Sequence, residues 1–429
     1  MSIISSLLPS RFPGTAKVRV QFHAAQFLLL CGGGMMSAAL AGCGSQPHNV
    51  SPTSGLPPST PAASSNAYIG TQSPLNWTFT VDDNQNAYSY QSLPTDSSRP
   101  AASSGTFVPQ NGFLNLGAAG LALEISGAGA ILRPGDNTTA PVAMVEQEGC
   151  LALTGQQRYL VQGMVRTTSP VTASPVVYRR GDLVASTTSD GKTWSFADAE
   201  YVDYKGNQIS LLYQGRPSAS SFTGKCAAAK GASSVSIDTS GAYLLPTTFR
   251  FGSAGMVVAD YTTSTGPKVF SHAAAIGFAQ PQYPLTVQLL ASASYRGFQV
   301  EYSTASVTQP VSFGPAVDGS VALNGGTYPN DDVTQTADSS ALFVFGSQSS
   351  SINGLFAKAT MTVLDPKGGC ALNNVSQADL GVTPSGIPTC RLHLSTMVGQ
   401  VGGKALIVAS GVDSTGFPAP DVQFYLIQQ

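Results

Sequence analysis

Charge is what this chain has least of. Only 10% of its 429 residues are Asp, Glu, Lys or Arg, against about a quarter in an average soluble domain. No basic run is present to neutralise phosphates, which excludes a nucleic-acid footprint. Solubility must come from Ser, Thr, Asn and Gln. Histidine is scarcer still, with four in all, His23, His48, His272 and His393. No C-x-x-C spacing occurs, so a zinc centre is not expected. A Ser-His-Asp hydrolase would need His272 or His393 as its base. The G-x-S-x-G elbow is absent, and Gly252-Ser253-Ala254-Gly255 is one residue too short. His393 alternates with Leu392 and Leu394, which reads as a surface or pore-facing strand residue. Gly191-Lys192-Thr193 mimics the end of a phosphate loop, but position 186 is Ser where that loop needs Gly. Gly399, Gly402 and Gly403 ahead of Lys404 miss the spacing too. The sequence therefore offers no catalytic residue, no metal set and no cofactor motif.

Helical periodicity is also missing. Gly and Pro, 45 and 28 of them, punctuate the chain too often for long helices. Ala227-Ala228-Ala229-Lys230 has room for a turn or two, and Ala118–Ile125 alternates like a strand only in its second half. What is present is strand grammar. Leu75, Trp77, Phe79 and Val81 fall on every second position. Asn111-Gly112 separates Thr106–Val108 from Phe113–Leu116, and Asp190-Gly191 separates Leu183–Ser186 from Thr193–Phe196. Lys205-Gly206-Asn207 divides Glu200–Tyr204 from Ile209–Tyr213. Asn-Gly and Asp-Gly supply the positive φ angles of tight hairpins. The fold class read from this is all-β, built of antiparallel hairpins and meanders.

The second half is the more regular. Strands are expected at Leu285–Leu290, Arg296–Tyr302, Val311–Phe313, Val321–Leu323, Ala341–Phe345, Leu355–Val363, Leu392–Val401, Lys404–Ala409 and Val422–Ile427. Asn324-Gly325-Gly326 and Asn353-Gly354 sit where turns are wanted. Consecutive strands with short connections predict an up-and-down barrel, which removes its exposed edges, with a β-sandwich as the alternative. No clean repeat of blade length supports a propeller. A membrane-spanning barrel needs strands of about 9–11 residues. Most strands here read as shorter, and the chain ends on Gln428-Gln429 instead of an aromatic.

The N-terminus carries the most specific motif. Arg11, Lys17 and Arg19 precede a run from Phe22 to Leu40 with no charged residue, and Leu40-Ala41-Gly42-Cys43 closes it. That order resembles a bacterial lipoprotein signal peptide. The resemblance implies cleavage of Gly42–Cys43, diacylglycerol on the Cys43 thiol and an acylated amine. An uncleaved membrane anchor is the other reading, and Gly32-Gly33-Gly34 weakens it. Residues 1–16 look superfluous to a signal, with Val18 or Val20 as a candidate start. Removing residues 1–42 takes away three cations and no acid, so the net charge moves from −2 to −5. Residues 44–74 lack apolar periodicity and are rich in Ser and Pro, which reads as a disordered tether. As a coil it would span roughly 30 Å.

The expected layout is a signal at 1–42, an acylated Cys and tether at 43–74, an N-terminal β domain at 75–280 and a barrel-like domain at 281–429. With Cys31 in the signal and Cys43 acylated, Cys150, Cys226, Cys370 and Cys390 remain, an even number suited to an oxidising compartment. Pairing within each half gives Cys150–Cys226 and Cys370–Cys390. The whole resembles those lipoproteins of Gram-negative bacteria that join a lipobox, a polar tether and an all-β body. Gly44 follows Cys43 where inner-membrane retention in enteric lipoproteins uses Asp, so the resemblance implies the outer membrane. The partners implied are the membrane, through the lipid, and a glycan or protein ligand.

Two further features bear on activity. Asp82-Asp83-Asn84-Gln85-Asn86 and Asn330-Asp331-Asp332 have oxygen ligands for calcium but complete no EF-hand, and both read first as solvated turns. Trp77, Tyr88, Tyr90, Trp194, Tyr201, Tyr204 and Tyr213 are candidates for a sugar platform, though such residues also serve as cross-strand packing. The leading expectation is a non-enzymatic binding or structural module of the envelope. A glycan-active hydrolase on a β scaffold is the alternative, supported if an open aromatic trough is flanked by two acids.

Overall fold

The computed structural model describes residues 65–429 apart from 73–74, 95–101, 136–140, 147–148, 169–176, 199–211, 214–215, 218–220, 230–231, 238–247, 261–268, 302–306, 317–321, 328–339, 351, 365–376 and 413–417. It is all-β and antiparallel throughout its pairings. The first sheet holds β1 (Ser65–Gln72), β2 (Leu75–Asp82), β3 (Ala87–Pro94), β4 (Ala102–Thr106), β5 (Val108–Gln110), β6 (Phe113–Asn115), β7 (Gly120–Ile125), β8 (Gly129–Pro134) and β9 (Val142–Glu146). Their order is β4-β3-β2-β1-β9-β8-β7-β6-β5. The two edge strands are separated in sequence by Phe107 alone, so the sheet is rolled and its edges meet at one corner. Asn111 (φ 51°) and Gly112 (φ 81°) form the expected turn between β5 and β6.

Next comes a closed eight-stranded barrel. It is made of β10 (Gln157–Thr168), β11 (Val177–Thr187), β12 (Thr193–Asp198), β15 (Ser221–Ala229), β16 (Ala232–Ile237), β17 (Thr248–Phe251), β18 (Met256–Asp260) and β19 (Val269–Ala279). Between β12 and β15 lies a separate pair, β13 (Leu212–Tyr213) and β14 (Arg216–Pro217). A second barrel follows, from β20 (Tyr295–Glu301), β21 (Val307–Gly314), β22 (Ala322–Thr327), β23 (Ser340–Val344), β25 (Leu355–Leu364), β27 (Pro388–Val401), β28 (Lys404–Val412) and β29 (Pro418–Gln428). Pairing of β25 with β27 and of β20 with β29 closes it as an up-and-down barrel. Two short strands flank that closure, β24 (Ser347–Gln348) on β25 and β26 (Leu380–Val382) on β27.

Alternation places one face of each barrel strand inside. In the first barrel Tyr159, Val161, Trp194, Phe196, Phe249, Phe251 and Val257 point inward and pack together. Trp194 stacks on Phe251 with ring centroids 4.3 Å apart. In the second, Phe313, Phe343, Phe345, Phe356, Met361 and Phe424 belong to the filled interior. The outward faces are apolar as well. Leu160, Met256, Val258, Ile276 and Phe278 from the first barrel meet Phe298, Val300, Met397, Val401, Leu406 and Val408 from the second. Ile69, Leu121, Leu123, Ile125, Ile131 and Val145 of the rolled sheet complete the same cluster. All three bodies thus share one central apolar seam. Each fully buried Val, Leu, Ile or Phe there contributes roughly 1.5–3 kcal/mol.

Several expectations need correction. β1 lies inside the stretch 43–74 read as tether, so the tether cannot run on to residue 74. Its Tyr68 faces the interior of the rolled sheet and Ile69 faces the seam. A strand covered on both faces has no alternation to read. The stretch 75–280 holds two bodies instead of one, the rolled sheet and the first barrel. Leu285–Leu290 is not a strand: α1 (Val287–Ala291) forms there and inserts Leu290 and Ala291 into the second barrel's core. Ala227–Ala229 extends β15 instead of starting a helix. Asn324-Gly325-Gly326 lies within β22 and not at a turn. The barrel strands are longer than they read, up to 14 residues in β27. Their interiors nevertheless differ from that of a water-filled membrane barrel, because apolar side chains fill them. Among the described residues, no helix is long and apolar enough to cross a membrane.

Phe278 is fully buried at the seam. Phe278→Ala should cost about 3–5 kcal/mol of unfolding free energy, because neighbours from three sheets cannot all collapse into the gap. Denaturant melts check this, and a loss under about 1 kcal/mol would contradict a tightly packed seam.

Candidate functional site

The predicted site residues fall in separate places. Cys43 lies outside the described residues. Cys150 and Cys226 are joined in a disulfide with Cα atoms 5.9 Å apart. Cys390 is buried on β27 and also disulfide-bonded, while Cys370, its expected partner, lies outside the described residues.

Among the described residues, four of the candidate sugar-platform aromatics do not form an open platform. Trp77, Tyr88, Tyr90 and Trp194 are all buried. The first three pack inside the rolled sheet, and Trp194 inside the first barrel. Tyr201 and Tyr204 lie outside the described residues, and Tyr213 sits on β13. Strand alternation alone could not reveal this, because both faces of these sheets are covered and an inward aromatic looks like an outward one.

The polar motifs resolve into turns and ties. Asp82 Oδ1 accepts from the backbone N–H groups of Asn84 and Gln85 at 3.0 and 3.1 Å, and Asn86 takes φ 49°. This is the self-satisfied turn that Asp and Asn favour. Asn330-Asp331-Asp332 lies outside the described residues. Asp190 Oδ1 accepts from the Thr188 hydroxyl and the Lys192 N–H, while Gly191 sits at φ 68°, a hairpin turn and not a phosphate loop. In Gly252–Gly255 the Ser253 hydroxyl donates to Glu146, whose carboxylate also accepts from Ala254 N–H at 3.2 Å. Glu146 thereby fastens the β17–β18 turn to the end of β9. Among the described residues no group of three or more His, Cys, Asp and Glu side chains is placed to hold a metal ion.

His393 faces away from the second barrel's interior, as its alternation with Leu392 and Leu394 implies. Its Nε2 lies 2.9 Å from Asp379 Oδ1, and both side chains are largely buried. The pair secures the 3₁₀ turn Gln377–Asp379 and the adjoining β26 to the barrel wall. Sequence spacing gave no hint of the partner, which is reached only when β26 folds back on β27. Further along the same outward face, Ser395 and its cross-strand partner Ser410 meet Gln162 of the first barrel. The Gln162 amide donates to Ser395 O at 3.3 Å and Ser410 Oγ at 2.5 Å. Both serines are buried beneath that contact, so neither is presented as a nucleophile beside His393.

A carboxyl with a raised pKa, Glu124, lies on β7. It faces the interior of the rolled sheet and accepts from Tyr68 Oη at 2.5 Å and Asn66 Nδ2 at 3.0 Å. Gly127 N–H donates to the same tyrosine oxygen at 3.2 Å. Burial raises the Glu124 pKa above the usual carboxylate range, and the nearby Asp83 adds to the rise. The two hydrogen bonds and Lys404 oppose it. Burial and the Glu124 carboxylate together push the Tyr68 phenol up. The Tyr68–Glu124 bond ties β1 to β7, with Tyr68 fully buried.

A carboxyl whose folded pKa is raised stabilises the fold in its protonated form. That contribution is complete below the ordinary carboxylate pKa and is lost as pH rises through the raised folded value. Glu124→Gln mimics the protonated group. Its stability relative to the parent should therefore improve across that window as pH rises. Urea melts at stepped pH check this, and a parallel pH dependence in both proteins would refute it.

No protein-family model matches the chain, and neither does any curated protein sequence. Among solved structures, it is similar to a tryptophan-to-alanine mutant of the vaccine antigen transferrin binding protein B from Haemophilus parasuis Hp5. The match has a TM-score of 0.23 and 9% identity, and covers 82% of this chain and 65% of the other, less than two thirds of its length. Agreement at that level transfers neither fold nor activity.

Proposed function

We propose that this chain is a lipid-anchored envelope protein whose β body binds a partner and carries out no catalysis. The observation that carries this reading is the filling of both barrels. Inward positions are occupied by large apolar side chains, from Trp194, Phe249 and Phe251 in the first to Phe313, Phe343 and Phe356 in the second. A barrel packed to its axis has its interior committed to stability. Recognition then falls to the outer surface and the loops. Of the aromatic residues on which the glycan-hydrolase reading rested, Trp77, Tyr88, Tyr90 and Trp194 are buried, which weighs against it.

The anchor half of the proposal rests on Leu40-Ala41-Gly42-Cys43 behind its uncharged run. An acyl chain and a polar tether would hold the body near the bilayer, and two chains would make that attachment stable. Gly44 favours the outer membrane, and pairing of Cys150 with Cys226 suits an oxidising envelope.

Labelling with a palmitate analogue tests the anchor. The parent protein should incorporate label and sediment with membranes, and Cys43→Ala should incorporate none. Label retained by the variant would overturn the lipid assignment.

A further inference from the structure

The segment that leads into the first barrel also closes one end of it. The chain leaves β9, and residues 149–156 cross the barrel end where β10, β12 and β18 begin and β11, β17 and β19 finish. Leu151 and Leu153 pack onto the inward aromatic cluster of Tyr159, Trp194, Phe196, Phe249 and Phe251. The Leu153 N–H donates to Thr187 Oγ1 at 2.9 Å, at the last position of β11. At Gly191, in the β11–β12 turn, an added Cβ would lie 2.6 Å from the Leu151 carbonyl oxygen. The turn therefore accepts the segment only because its residue has no side chain. One covalent bond holds the start of this strap, the disulfide from Cys150 to Cys226 on β15. Both sulfur-bearing residues are partly exposed, within reach of a reductant.

Among the described residues, the strap's two leucines are only partly buried and its backbone is tied by the single Leu153 bond. The barrel beneath is closed by its own ladder, β10 against β19 along ten residue pairs. Strap and barrel are thus mechanically separable: one is latched by a disulfide, the other by strand pairing.

We infer that Cys150–Leu153 is a redox-latched strap, and that reducing its disulfide uncovers an aromatic mouth on the first barrel that takes planar apolar ligands. A dithiol supplies two electrons and two protons. The Cys150–Cys226 S–S bond breaks, two thiols form, and the dithiol leaves as its own disulfide. The strap then loses its anchor on β15. Leu151 and Leu153 can lift, and the stacked rings of Trp194 and Phe251 face the solvent. The ligand class follows from the surface: stacked aromatic faces favour flat, weakly polar molecules.

The test uses the full-length protein, oxidised and treated with dithiothreitol, beside Cys150→Ser/Cys226→Ser, which removes this latch and leaves Cys370 and Cys390 untouched. Amide hydrogen exchange is followed at Leu153 and at barrel positions such as Leu160 and Val258. Binding of anilinonaphthalene sulfonate is followed in parallel. The expected result is exchange at Leu153 faster by at least about tenfold with barrel amides unchanged, as for a local opening. Probe fluorescence should rise in both latch-free forms and fall again on reoxidation of the parent. Unchanged Leu153 exchange with no probe uptake would overturn the strap. Loss of protection at Leu153 and the barrel together would also overturn it, showing that the disulfide only stabilises the whole fold. If the double variant does not fold, reduction of the parent decides between the same outcomes, with Trp194→Phe abolishing any red shift of emission that reduction produces.

Discussion

The rest of this structure depends on the apolar seam where two barrels and a rolled sheet press their outer faces together. A lone barrel in water needs a polar outside, and charge usually supplies it. Here Leu160, Val258, Ile276 and Phe278 on one barrel are buried against Met397, Leu406 and Val408 on the other. Positions that would carry Lys or Glu on a separate barrel carry aliphatic residues instead. The low charge content and the three-body architecture therefore have one cause. Close approach also decides where glycine is required: a side chain at Gly399 would run into the Phe278 ring. Where Gln162 enters the seam, its amide nitrogen reaches the Ser395 carbonyl and the Ser410 hydroxyl, while its amide oxygen is buried without a partner among the described residues.

This double burial also explains what the sequence revealed and what it hid. Turns were legible, because Asn111-Gly112, Asp190-Gly191 and Asn353-Gly354 carry a backbone requirement independent of packing. The closing meander of the second half was legible too, since short connections between antiparallel strands leave few topologies. Strands such as β1 were not, because two covered faces erase alternation. α1 was missed for a related reason: Leu285, Val287 and Leu290 all touch the second barrel's core, so the segment looks uniformly apolar whatever its conformation. Of the site residues, the Cys150–Cys226 pair could be assigned from parity and proximity in the chain. The bonding of Tyr68 to Glu124, 56 residues apart, could not, since it depends on β1 and β7 being brought onto one inner face.

Both barrels share a construction that no local signal announces. Each is entered through a segment that caps its own end. Before the second barrel this is α1, held by the Tyr295 hydroxyl on the Leu290 carbonyl at 2.9 Å and by Ala316 N–H on the Ala291 carbonyl at 2.6 Å. Before the first it is the extended strap of Leu151 and Leu153. The helix satisfies its own backbone and buries Leu290 almost completely. The strap makes less use of hydrogen bonds and buries its leucines only in part, and it is the one that carries a covalent latch.

That asymmetry bears on how a packed protein of this kind can recognise anything. Filled interiors and a shared seam leave little freedom inside the three bodies, and rigid surfaces lose little entropy on binding. Variability has to reside in what is attached to the frame and not in the frame itself. The strap over the first barrel is such an attachment, and it can change without disturbing the ladder that closes the barrel. A scaffold whose strands are committed on both faces can acquire function at its ends far more easily than along its walls, and the ends are where its glycine turns, its partly buried leucines and its accessible disulfide are found.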